Sequence, residues 1–99
     1  MSEAPPIYSE KSIEVLEATK ELDPKKIQFA KEVIHFAFSN GVNKTFTDLS
    51  YYIGKRFSEN FNEYWNCTVW EWNKGGISFI CNTRIDIKYN NNKIILWKI

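Results

Sequence analysis

The chain has 99 residues and a formal net charge of +1, from 13 basic and 12 acidic side chains, so it makes one small domain with room for a single core. Acids and bases are interspersed, which leaves no broad electrostatic footprint for nucleic acid or an anionic membrane and points to proteins as partners. Aromatic residues make up 16% of the chain, roughly twice average usage, so large rings fill much of that core.

Residues 1–11 are acidic and proline-bearing, with no basic start followed by an apolar run. They read as a flexible tail, neither a secretory leader nor an anchor, which makes the expected setting cytosolic and the domain proper 12–99. "SIEVLEA" alternates Ile13 and Val15 with Glu14 before breaking at Leu16, which predicts a short strand. Asp23 at an N-cap, Pro24 at the first helical position and Leu22 placed to staple onto Ile27 then start a helix. Its apolar positions Ile27, Ala30, Ile34, Ala37 and Phe38, widened by Phe29, Val33 and Phe36, predict burial on more than one side, and "SNG" ends it.

Thr45 opens a second helix, with Asp48 supporting the same end. Phe46, Leu49, Ile53, Phe57 and Phe61 recur at three and four, with Tyr52 on their edge. The remainder reads as four strands, at about 65 to 70, 75 to 80, 83 to 89 and 93 to 98. Helices followed by a meander predict an α+β fold: a short N-terminal strand, two packed helices on one face, and an antiparallel sheet.

Alternation also sorts the strand residues into two faces. Cys67, Val69, Ile85, Ile87, Tyr89, Ile94 and Leu96 fall on the helix side. Asn66, Thr68, Trp70, Trp72, Arg84, Asp86, Lys88, Lys93, Ile95 and Trp97 fall on the other, where rings and an isoleucine surrounded by charges have the composition of a protein contact. Stacking of single-stranded bases on Trp70, Trp72 and Trp97 is the weaker reading, because Glu71 and Asp86 lie among them.

Catalytic constellations are missing. His35 is the sole histidine and sits mid-helix, Gly75-Gly76 lacks P-loop spacing, and Cys67 and Cys81 have neither the spacing nor the histidine company of a metal or redox site. The cysteines read as reduced, buried packing residues, and Asp86 as the partner of Arg84 or Lys88 in an ion pair of small net value. No enzyme activity, cofactor or metal is expected.

From about Val15 onward, over about five sixths of its length, the chain resembles the small dynein light chains of the eight-kilodalton class. The resemblance is carried by "KRFSENFNEYWNCTV", with Phe57, Asn62, Trp65, Cys67 and Val69 on the family's positions, and by the closing "IILWK". It implies a dimer in which the strand from about Asn73 to Ile80 crosses to the other subunit, with Asn66, Thr68, Trp70, Trp72, Arg84, Asp86, Lys88, Ile95 and Trp97 at the dimer interface. It further implies a groove, lined by Thr47, Gly76, Ile77, Ser78, Phe79 and Lys93, that takes a short extended peptide by strand addition. The implied partners are a dynein intermediate chain and a second light chain, with the heavy chain reached indirectly. The implied setting is the cytoplasm and cytoskeleton, including the ciliary axoneme.

The sequence departs from that family at several points. Asn66 replaces a histidine that confers acid sensitivity on the dimer, and "GGISFICN" replaces the groove strand. Arg84, Asp86, Lys88 and Lys93 stand where the family has aromatic or small residues. Charges facing a copy of themselves need exact pairing, so the resemblance implies a heterodimer with a paralogue more readily than a homodimer. The alternative function is a general hub dimer that gathers short motifs of disordered clients.

Overall fold

Two local signals set the helices. In the computed structural model, which describes residues 12–41, 45–74 and 81–98, Asp23 caps α1 (Pro24–Ser39) by accepting the N–H of Lys25 at 2.9 Å, with Pro24 in the first turn. Thr45 caps α2 (Phe46–Phe61), its hydroxyl accepting the N–H of Asp48 at 3.0 Å. At the far end of α2, Asn62 turns left-handed (φ 52°) and the N–H of Glu63 reaches back to the Ser58 carbonyl at 3.1 Å. Asparagine adopts that conformation more readily than most residues, which accounts for it in "NFNEYW".

Strands β1 (Ile13–Ala18), β2 (Asn66–Glu71), β3 (Thr83–Tyr89) and β4 (Asn92–Lys98) form one antiparallel sheet in the order β1-β3-β4-β2. The α+β class with two helices packed on one face of the sheet is as the sequence predicts. The meander is not: β2 pairs with β4, the last strand, and β3 lies between β4 and β1. Alternation fixes which side chains face inward but not which strand is whose neighbour. Among the described strands β3 and β4 alone are joined by a tight turn, where Asn90 is left-handed (φ 53°). The expected 75–80 strand, and with it the crossing segment, lies outside the described residues, as do the 1–11 tail and the groove positions Gly76, Ile77, Ser78 and Phe79.

The inward faces meet where the sequence places them. Ile34 and Ala37 of α1, Ile53 and Phe57 of α2, and Ile85, Ile87, Ile94 and Leu96 of the sheet are all fully buried. Phe57 is the hub of the aromatic cluster, with Trp65 edge-on at 4.9 Å, Phe61 at 5.0 Å and Phe29 at 6.0 Å between ring centroids. Burial of α1 is more one-sided than its sequence suggests. Phe36 is 46% exposed and stacks on Tyr52 at 6.3 Å, which gives the ring a partner without bringing it into the core. Neither cysteine is fully buried, and both are free. Cys67 packs directly under α2 at Gly54, where a built Cβ would stand 3.2 Å from the Cys67 Cβ.

Candidate protein-binding site

A groove of about 530 Å³ runs between α2 and the start of β2. Thr47, Ser50, Gly54 and Ser58 recur along α2 at three and four residues, so small side chains line its helical wall, opposite Trp65, Asn66 and Cys67. One end is fastened by Ser58, whose hydroxyl accepts the N–H of Trp65 at 2.8 Å and donates to the Trp65 carbonyl at 3.2 Å. Tyr51 and Tyr64, 70% and 81% exposed, stand on the rim. Among the described residues β2 is an edge strand, so the groove borders an open row of backbone donors and acceptors.

Thr47 stands on the α2 wall of this groove. Lys93 does not line it: the register sets Lys93 between Trp70 of β2 and Lys88 of β3, on the sheet face away from the helices. A one-residue step along a strand changes the face, and Lys93 sits one residue before the inward Ile94.

The outer face gathers the expected interface set into cross-strand rows. One row holds Asn66, Trp97 and Arg84, a second Thr68, Ile95 and Asp86, and a third Trp70, Lys93 and Lys88, with Glu14 of β1 opposite Lys88. Trp72, just past β2, lies with its ring centroid 4.7 Å from the Lys88 ammonium. Arg84 grips Asp86 with both arms of its guanidinium, Nε to Oδ1 at 2.9 Å and Nη2 to Oδ2 at 2.7 Å. Asp86 is only 4% exposed, so this pair is not the slight surface contact the sequence suggests. The carboxylate in turn raises the Arg84 pKa further above its ordinary value. Two of the four charges credited with disfavouring a self-pair therefore neutralise one another within the chain.

No family model matches the chain, and no curated protein matches it by sequence. Solved structures do. The dynein light chain-like domain of the Fasciola hepatica calcium binding protein FhCaBP2 superposes with a TM-score of 0.69 at 16% identity, over 88% of this chain and 90% of that one. A mercury derivative of the same domain gives 0.66 at 17%, over 97% and 98%, and the DLC-like domain of CsTAL3 gives 0.64 at 19%, over 88% and 92%. The fold is that of a dynein light chain-like domain.

The domain also holds one electrostatic node that sequence reasoning missed. Glu63, in the turn between α2 and β2, accepts at Oε1 from Lys26 of α1 at 2.8 Å and from the Trp65 indole at 2.9 Å, and at Oε2 from Lys98 of β4 at 3.2 Å. Both ammonium groups also lie about 6 Å from the Trp65 ring centroid, at 6.0 and 5.9 Å. No spacing rule links positions 26, 63 and 98, so only the folded chain brings them together. The Lys26 bond foremost, then those from Trp65 and Lys98, hold the Glu63 pKa down at about 2.

Since the folded value is the depressed one, the stabilisation is full above the unfolded carboxylate range and disappears as pH falls through about 2. Glu63→Gln is expected to cost the domain about 1–2 kcal/mol at neutral pH, a figure discounted for the solvent at a partly exposed group. Urea midpoints measured between neutral pH and pH 2 should converge for the two chains at the acid end. By contrast, burial pushes the Cys67 thiol well above its ordinary pKa, which leaves little thiolate for nucleophilic chemistry.

Proposed function

We propose that this light chain-like domain is a non-catalytic subunit that takes an extended segment of another protein along β2, an edge strand among the described residues. The contrast between the two sheet edges supports this reading. At one edge the β1–β3 register shifts between Val15 and Glu17, and exposed Glu14 and Glu17 flank the irregularity, the kind of device that blunts strand pairing. At the other, β2 runs in unbroken register with β4 from Asn66 to Glu71 and borders the groove. The N–H of Trp72 bonds to the Asn91 carbonyl at 2.8 Å, so by alternation the amides of Glu71 and Val69 point to the open side.

The segment we favour belongs to a dynein intermediate chain, in a motor complex of the cytoplasm or ciliary axoneme that the heavy chain joins indirectly. A second light chain would meet the outer face at the half-buried Trp70 and Trp97, with Ile95 between them already buried within the chain. Support for this setting comes from the Lys55–Val69 resemblance together with the fold. The internal Arg84–Asp86 pair favours a second reading, because it removes part of the objection to a homodimer and so brings back the general hub. An array of intermediate-chain segments and unrelated disordered segments separates them: a dedicated subunit retains one intermediate-chain segment, a hub many unrelated ones.

Glu71→Pro tests the edge directly. Glu71 is exposed and its amide faces outward, so proline there removes no bond to β4. Captured segments should lose at least about tenfold in affinity through the missing donor and the ring on the edge, while the urea midpoint stays near that of the parent.

A further inference from the structure

We propose that Asn40, where α1 gives way to the connection with α2, is a site of spontaneous deamidation, converted in the folded chain to aspartate and isoaspartate. The reaction needs water and a backbone amide that is free to attack. It is independent of what binds along β2.

The chemistry is intramolecular, and proximity supplies most of its rate. The backbone nitrogen of Gly41 loses its proton and attacks Cγ of Asn40, the Cγ–Nδ2 bond breaks, and the side-chain nitrogen leaves as ammonia with that proton. A cyclic imide remains. Water then opens the ring at either carbonyl: addition at Cγ gives aspartate, and addition at the main-chain carbonyl carbon gives isoaspartate, in which the chain runs on through Cβ and Cγ.

Three features meet at this position. Gly41 follows Asn40, and no other asparagine in the chain precedes a glycine. Gly41 is exposed, with nothing within 4 Å of where a Cβ would stand, so no side chain hinders the approach to Cγ. Its N–H donates to no acceptor among the described residues. Asn40 is the C-cap of α1, at φ −79° and ψ −11°, and its own N–H is held by the Phe36 carbonyl at 3.1 Å. The peptide unit that must rotate lies beyond that bond, past the helical ladder, and Gly41, at φ 74°, has the freedom to follow it.

Other asparagines are followed by engaged or hindered amides. After Asn62 the N–H of Glu63 bonds to the Ser58 carbonyl at 3.1 Å, and after Asn73 that of Lys74 bonds to the Glu71 carbonyl at 3.0 Å. Asn60 lies within α2, and Asn66 and Asn92 within strands. Asn82, Asn90 and Asn91 precede threonine or asparagine, whose side chains crowd the attack.

The product alters the helix end. No basic residue stands in the last turn of α1, so a carboxylate at position 40 meets the negative end of the helix dipole without one. The ratio of folded to unfolded chain is expected to fall about two- to fivefold for the aspartate form. Isoaspartate in addition lengthens the main chain on the way into α2.

The test is to age the intact chain at neutral pH, digest it and map the asparagines by mass spectrometry, with isoaspartate detected by methyl transfer from S-adenosylmethionine using an isoaspartyl methyltransferase. The peptide holding Asn40 is expected to convert first and to keep pace with a free peptide spanning residues 36–45. Asn40→Gln should lose the methyl labelling, since glutamine closes a larger ring more slowly. Asn40→Asp, which reproduces one product, should lower the urea midpoint in line with the fall in that ratio.

Conversion that appears first at another asparagine overturns the assignment. So does an Asn40 that survives in the folded chain while the free peptide converts, because the fold would then shield the amide instead of presenting it. An Asn40→Asp chain as stable as the parent overturns the effect on the helix end and leaves the modification standing.

Discussion

Phe57→Ala is expected to remove about 3–5 kcal/mol of folding stability, which approaches the whole margin of a domain this size. Phe57 is fully buried, and three rings, Phe29, Phe61 and Trp65, pack around it within 6.0 Å. These rings come from α1, the end of α2 and the entry to β2, so the cavity cannot close by moving one side chain. Near this cluster the Ser58–Trp65 bonds and the Glu63 node set where the β2 edge begins. Urea denaturation should therefore show a large drop in midpoint, and Phe57→Leu, which fills more of the space, should recover most of it. A loss under about 1 kcal/mol for the alanine variant would mean that the cluster is not the centre of the core.

Breaking the Arg84–Asp86 pair from one side only is the second large effect. Arg84→Met is expected to cost about 3 kcal/mol, because it strands a carboxylate that is 4% exposed among Ile95 and its neighbours. The double variant Arg84→Met with Asp86→Leu should return close to the parent, since replacing a buried pair by apolar side chains is often neutral or better. A thermal or urea double-mutant cycle gives the coupling. If the two single losses simply add, the pair contributes nothing specific, and the outer face must be regarded as carrying four independent charges. Strong coupling means that only Lys88 and Lys93 remain to be matched by whatever covers the face, with Glu14 already opposite one of them.

Much of the fold was legible because its signals are local. The Asp23-Pro24 start, the Thr45 cap and the strict alternation of "TRIDIKY" each depend on residues a few positions apart, and each element stands where those signals put it. The division of β2, β3 and β4 into two faces followed from the same alternation. Strand order did not, because pairing β2 with β4 is a contact between distant segments that no periodicity encodes.

The groove is less legible: Thr47 enters through the resemblance alone, and the stripe Thr47, Ser50, Gly54 and Ser58, at helical spacing, is masked in the sequence by the louder aromatic stripe of the same helix. The Glu63 node joins residues 26, 63, 65 and 98 and leaves no trace in any window of the sequence. Arg84 and Asp86 were visible as neighbours on one face, but only burial turns an ordinary alternate-position pair into a costly one to break.

Strand addition at β2 is tested by a chemical-shift titration of the isotope-labelled chain with dynein intermediate-chain segments. Perturbations are expected to concentrate at Asn66 to Glu71 and at Thr47, Ser50 and Gly54 across the groove, with the β1 edge unchanged. Perturbations confined to β1 or to the exposed surface of α1, with β2 and the groove silent, would contradict it.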